Sequence, residues 1–242
     1  MPLETKIAQK PKSQKNKKER LRRGLLIAVT LVLVMYLGLS FLAPVLMKYG
    51  HEAFAKLIYK AYRPACHQLA YRSFFLFGEQ AVYPRALAKV KGLKTYEMIT
   101  GAESEDFTFA SEFLGNEDVG YKVALCQRDI ALFSSILLFM LLYLFLSLAK
   151  KKIKPLPWWL WIVLAIMPIG LDGFGQLISQ LKLPFLAWLP VRESTPFFRV
   201  LTGTLFGFFS AWFIILSFEE DMNNAETITH ENKIEVYLDE TV

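Results

Sequence analysis

Apolar residues run almost unbroken through four stretches of the chain, at 25–47, about 130–149, about 156–181 and about 197–218. The first two contain no ionisable side chain, the third contains only Asp172, and the fourth contains only Arg199, near its start. A bilayer core about 30 Å thick is crossed by roughly 20 helical residues. Only structures that satisfy their own backbone hydrogen bonds survive in hydrocarbon, and for separate segments that means helices. The pattern therefore predicts four transmembrane helices.

Between the first two lies an excursion, residues 48–125, with ten Lys/Arg and nine Asp/Glu. Its opening, HEAFAKLIYKAYR, places Phe54, Leu57, Ile58 and Ala61 at i, i+3, i+4 and i+7, the spacing of an amphipathic helix. Pro64 ends it. Such a helix lies along the membrane interface or packs beside the spans. The next stretch, 65–78, is about half apolar and too short to span. It is read as a second membrane-proximal helix or a re-entrant piece. Residues 83–121, with Gly92, Gly101, Gly115 and Gly120 among charges, are read as a small exposed excursion. The expected fold class is an all-α membrane protein, a bundle of about four transmembrane helices plus one or two membrane-proximal amphipathic helices.

Charge adds an orientation. Residues 1–23 hold nine Lys/Arg against two Glu, and residues 219–242 hold eight Asp/Glu against one Lys. The tails cancel, and the formal net charge is +6. The basic tail abuts the first span, and a second basic cluster, KKKIK at 150–154, follows the second span. The positive-inside rule puts both on the cytoplasmic side, where acidic residues weigh little. Four spans then return the C-terminus to the same side. The domains expected are a basic cytoplasmic tail (1–23), a membrane domain (24–218) with an extracytoplasmic excursion (48–125), and an acidic cytoplasmic tail (219–242). The first apolar run is 23 residues long, beyond the roughly 7–15 of a cleaved signal peptide, so it is read as an uncleaved anchor. Trp158, Trp159 and Trp161 sit where indoles anchor at the inner interface. The partners expected are the bilayer itself and, at the N-terminal tail, anionic lipid.

Composition excludes other classes. Apolar types make up 54% and charged types 21%, against about a quarter charged in soluble domains. A disordered chain, a collagen-like chain and a disulfide-dense mini-protein are ruled out. Despite a pI of about 9.2, a nucleic-acid partner is not expected, because the basic residues flank spans. No P-loop, G-x-S-x-G or H-E-x-x-H motif is present.

Candidate chemistry falls in two groups. Cys66 and Cys126 are the only cysteines, and both fall outside, close to the membrane. A disulfide is the leading expectation in an oxidising compartment. The alternatives are a metal ion held by Cys66, His67 and Cys126 with Asp129 or Asp172, a redox thiol pair, and two plain cysteines. No zinc-type ligand spacing is present.

The second group is polar residues inside apolar spans, which are costly there and face a bundle interior or a wet cavity. Asp172, Gln176 and Ser179/Gln180 form a stripe on the third helix. Arg199, Gly203, Gly207 and Ser210 form one on the fourth, with Gly203 and Gly207 in a GxxxG spacing that permits close approach. The two stripes are expected to face each other, with Asp172 paired to Arg199, as a register-setting salt bridge, a ligand or proton site, or solvated interface charge. Arg72, Arg128, Arg192 and Arg199 could ring an outer pocket beside Asp129 and Asp172, suited to a phosphate or carboxylate group.

The segments CHQ-x3-RS (from Cys66), GYKVALCQRDIALF (120–133), PIGLDGFGQL (168–177) and RESTPFFRVLTGTLFG (192–207) together resemble a family of predicted prokaryotic multi-pass membrane proteins of unknown function. The resemblance covers about residues 60–215. It implies a small multi-spanning protein with matching positions at Cys66, His67, Gln68, Arg72, Ser73, Cys126, Arg128, Asp129, Asp172, Gly173, Gln176, Arg199, Thr202, Gly203 and Gly207. It implies no activity. Some members carry a second cysteine where Asp129 stands here, a departure that bears against a metal site.

The functional expectation is an integral protein of the cell membrane, both termini cytoplasmic, with a polar Cys/His/Arg/Asp pocket at the outer face that binds or transports a polar or anionic ligand. Arg72, Arg128, Asp129, Asp172, Gln176 and Arg199 are its expected ligand-binding residues. A membrane-surface enzyme dependent on a metal or thiol, and a structural scaffold, are the alternatives.

Overall fold

The computed structural model describes residues 12–102, 106–149, 151, 153–181, 188 and 190–239, with side chains described within 19–222. Lys6 and Lys10 of the basic tail, Lys150 and Lys152 of KKKIK, and the last three residues of the acidic tail lie outside the described residues. Helix α1 (Lys12–Lys48) is followed by α2 (Glu52–Tyr62). A small unit then contains β1 (Ser73–Leu76), α3 (Tyr96–Thr100), α4 (Phe107–Glu112), β2 (Gly115–Asn116) and β3 (Gly120–Cys126). Helices α5 (Gln127–Leu148), α6 (Trp158–Trp161), α7 (Met167–Gln180) and α8 (Pro196–Asp239) complete the chain.

Among the described residues, four segments are long and apolar enough to cross a membrane: Glu19–Lys48, Gln127–Leu148, Trp158–Gln180 and Pro196–Met222. They match the four apolar runs to within a few residues, and the fold is that of an all-α membrane protein carrying one small sheet. In the first segment Leu25, Leu31, Val32 and Met35 are all exposed, as lipid-facing positions are when the solvent is hydrocarbon. The third segment is broken by a π turn at Ile162–Ile166. Pro168 follows at once; it lacks an N–H and its ring clashes with the carbonyl four residues back, and the wider turn relieves both.

The sheet gives one end of the bundle its identity. It is antiparallel in the order β1-β3-β2, with Ser73 opposite Cys126 and Asn116 opposite Gly120. The Asn116 side-chain oxygen accepts from the N–H groups of Asp118 and Val119 and turns the β2–β3 hairpin. Gly120 has φ +76°, and a Cβ there would overlap the Leu76 carbonyl, so only glycine fits. Caps set the short helices: Thr95 accepts from Met98 N and Asp106 from Phe109 N.

Two expectations for this region are corrected. Residues 65–78 do not form a second helix; a 3-10 turn (Ala70–Arg72) leads into β1. Residues 83–121 are not simply exposed. Tyr71, Phe75, Tyr83, Tyr96 and Ala110 form a core of their own, because tyrosines bury their rings in a segment whose sequence looks polar. Helix α2 forms where expected, yet Ala55, Tyr59 and Tyr62 are its buried positions, while Phe54 and Leu57 are exposed.

Lys122, at the centre of β3, is completely buried. Its ammonium donates to the carbonyls of Gln68 and Ser111, both at 2.7 Å, tying β3 to α4 and to the segment after Cys66. Burial, with Arg63 adding repulsion, lowers its pKa to about 7. An unfolded lysine titrates at about 10.4. Between these values the unfolded chain binds the extra proton, so stability rises with pH from about 7 to 10 and is flat in this respect below 7. Thermal midpoints of wild type across that window are expected to climb, and those of Lys122→Met to lose the slope.

At the opposite end of the bundle, Glu219 of α8 pairs with Arg22 of α1 and accepts from the Tyr143 hydroxyl of α5. Above it lies a core of Phe139, Tyr143, Ala211 and Leu216. Trp161 stacks on Phe213 at 4.8 Å and donates to Ser210. It therefore packs inward, while Trp158 and Trp159 are exposed.

Candidate functional site

Two carboxylates organise the sheet end. Asp172, on α7, is 4% exposed. It accepts from Arg128 Nη2 at 2.6 Å, from Arg192 Nη2 at 2.8 Å and from the Ser194 hydroxyl at 2.6 Å. The neighbouring Gly173 leaves room for the Arg128 guanidinium, since a Cβ there would stand 3.0 Å from Arg128 Nη1. Glu193, in the loop before α8, is the second node. Arg72 reaches it with Nε and Nη2 at 3.2 and 3.3 Å, and Arg85 Nη1 does so at 3.3 Å. The Arg199 guanidinium closes on it and also donates to the Tyr71 carbonyl. Gln176 and Gln180 each add an amide donor at 2.9 Å. Charge-assisted bonds of this kind satisfy a carboxylate that water cannot reach.

The polar stripe on the third span exists, but its partner is the loop at 192–194. Ser179 accepts from Arg192 N at 3.0 Å, which holds that loop over the helix end. Asp172 and Arg199 therefore do not pair with each other. Glu193 lies six residues before Arg199 and folds back over the first turn of α8 to take it, while Arg128, from the first turn of α5, takes Asp172. Gly203 and Gly207 likewise face α5 and not α7: a Cβ at Gly203 would stand 2.6 Å from the Arg128 carbonyl, and one at Gly207 would overlap Leu132 O and Ser135 Oγ.

All four arginines of the expected ring enter this one network, divided between two carboxylates. Arg192 is the most open, with 46% of its side chain exposed. It lines a cleft of about 520 Å³ with Lys89, Gly175, Ser179 and Thr195. The expected list omitted Glu193 and Arg85. Both sit in non-helical segments, where a charge carries no signal of burial.

Asp129 departs from the arginine network and joins the cysteines. Cys126 caps α5, Asp129 lies in its first turn, and Cys66 follows α2. The Cys126 N–H donates to Cys66 Sγ at 3.3 Å, and ligand atoms of Cys66, Cys126 and Asp129 lie within 4.8 Å of one another. These three groups could hold a metal ion. The two sulfurs are not bonded to each other in the structure. Cys126 is the more acidic of the two: the Cys66 thiol donates to it and lowers its pKa, and the Asp129 N–H lowers it further. That same hydrogen bond, together with burial, pushes Cys66 up. His67 is exposed and turns away from the thiols. It lines a separate cleft of about 500 Å³ with Arg63, Arg72, Thr108 and Glu112.

Comparison with known proteins agrees with this architecture. Residues 119–213 match the family of predicted membrane proteins DUF2085. That interval runs from β3 into α8 and carries Cys126, Arg128, Asp129, Asp172, Glu193 and Arg199. The chain is also similar to the uncharacterized protein MJ1492 of Methanocaldococcus jannaschii, 26% identical over 205 residues, which cover 83% of this chain and 96% of the relative. No solved structure matches. The chain is a predicted multi-pass membrane protein of unknown function, similar to an uncharacterized archaeal protein.

Proposed function

We propose that this protein binds a polar anion at the arginine network of its sheet end, as the recognition step of a carrier or receptor in the cell membrane. The observation that carries this reading is a mismatch of charge. With Arg85 set aside because it engages further groups, four guanidinium groups still surround two carboxylates. A surplus of two positive charges in a partly desolvated site attracts an anion of matching size. The Glu193 node, saturated by arginines and amides, acts as the rigid half. The Asp172–Arg192 node opens to the cleft and acts as the binding half, because Arg192 spends only part of its fork on Asp172. Phosphate and carboxylate oxygens both suit a guanidinium fork. The basic N-terminal stretch on the cytoplasmic side, in contact with anionic lipid, fixes the sheet end outside.

Thermal unfolding of the detergent-purified protein tests the reading, in inorganic phosphate and in acetate against chloride at equal ionic strength. Binding to the folded state alone adds about 2.7 kcal/mol of stability at a hundredfold excess over Kd. One of the two anions should raise the midpoint saturably. Arg192→Gln should abolish that rise while leaving the midpoint in chloride close to wild type. The reading fails if neither anion moves the midpoint, or if Arg192→Gln responds as wild type does.

A further inference from the structure

The cysteine pair takes no part in the anion site, yet it is not arranged as two idle thiols. Cys66 lies 6% exposed, beside Cys126 and Asp129, with all three ligand atoms inside a 4.8 Å span. Zinc–sulfur bonds of about 2.3 Å and zinc–oxygen bonds of about 2.0 Å fit around one ion in such a space. Backbone donors are aimed at both sulfurs. Cys66 Sγ accepts from Cys126 N and from the N–H of Gln68, and Cys126 Sγ accepts from the N–H of Asp129. A cation bound between them would take both sulfurs as thiolates and offset their charge and that of Asp129.

We infer that Cys66, Cys126 and Asp129 form a three-ligand site for a thiophilic divalent metal ion, zinc by ligand type. Two thiolates select a soft or borderline metal, and the carboxylate favours zinc over copper(I). Binding releases the thiol protons to solvent as the two metal–sulfur bonds form. Three protein ligands leave one tetrahedral position for water or another oxygen ligand. Asp129, and not His67, is the third ligand. The site is held by two segments: the turn after α2, and the junction of β3 with the first turn of α5. The metal therefore also fastens the end of α2 to that junction.

Cobalt(II) is the probe, added to the full-length protein purified in detergent under reductant. One equivalent should bind with a thiolate-to-cobalt charge-transfer absorption, and zinc should displace it. Cys66→Ser and Cys126→Ser should abolish that absorption. Asp129→Asn keeps both thiols and nearly the same shape, and should weaken binding at least about tenfold, the size of effect seen even for outer-shell partners. Asp129→Cys should tighten it, and His67→Ala should bind like wild type. The inference is overturned if reduced protein gives no charge-transfer band, if Asp129→Asn binds unchanged, or if His67→Ala abolishes binding. It is also overturned if alkylation in intact cells finds most molecules bridged between Cys66 and Cys126.

Discussion

Replacing Glu193 with alanine is expected to destabilise the protein by about 3–5 kcal/mol, the cost of leaving a buried ion-pair partner uncompensated. Arg199 bears most of that cost. Its side chain is 3% exposed and that of Glu193 is 1% exposed, so water cannot replace the lost carboxylate. Arg72, with 26% of its side chain exposed, can turn toward solvent and contributes much less. The amides of Gln176 and Gln180 would lose their acceptor as well. Unfolding in mixed detergent micelles measures the change. Adding Arg199→Met to Glu193→Ala should recover a large part of the loss, since replacing a buried pair by apolar groups is often near neutral. A loss under about 1 kcal/mol for Glu193→Ala would mean that the node is effectively solvated.

The consequences of that substitution should reach both ends of the proposed anion site. Glu193 is adjacent to Arg192, and the loop they share is held against α7 by Ser179. If Glu193 fixes the loop, then Glu193→Ala should blunt the anion response even at temperatures where the protein stays folded. Arg192→Gln should blunt the same response with little loss of stability. The contrast separates the group that positions the loop from the group that meets the ligand.

The sequence made the spans legible because the demand of hydrocarbon is local: each helix must satisfy its own backbone and present apolar side chains. Asp172 and Arg199 stood out for the same reason, as charges in apolar runs. The arginines that hold Asp172 stand beside it in the expected ring, but Glu193, the partner of Arg199, is not in the expected site, nor is Arg85. Glu193 and Arg85 lie in loops, where charge is ordinary, and only the fold shows that they are buried. Of the two placements open to the apolar face of α2, packing beside the spans is not the one its exposed residues take. Amphipathic spacing identifies the face away from water, and beside a membrane that face need not be the one packed on protein. Phe54 and Leu57 remain exposed while Tyr59 and Tyr62 send their hydroxyls to the carbonyls of Lys122 and Tyr36. The sheet was invisible because β1 and β3 pair across some 50 residues, and β3 is buried on both faces, so it lacks the alternation that marks a strand. The proximity of Asp129 to the thiols followed from that same pairing, which sets Cys126 at the helix start.

Gly207→Leu is expected to be as damaging as the loss of Glu193, by way of the backbone and not of charge. Helices α5 and α8 meet along Gly203 and Gly207, where the absence of side chains lets the backbones approach. A Cβ on Gly207 would overlap the Leu132 carbonyl oxygen and the Ser135 hydroxyl. The hydroxyl can rotate away; the carbonyl belongs to a helix and cannot. Overpacking of this kind costs typically 1–3 kcal/mol, sometimes more, so Gly207→Ala should lose about that much and Gly207→Leu more. Gly170→Ala is the control, since nothing lies within 4 Å of a Cβ there, and its midpoint should match wild type. The separation of α5 from α8 would also draw Arg128 off Asp172, because Gly203 packs against the backbone of Arg128 itself. Gly207→Ala, folded but loosened, should therefore show a weaker anion response than Gly170→Ala. An equal response in the two variants would show that the helix seam and the arginine network are independent.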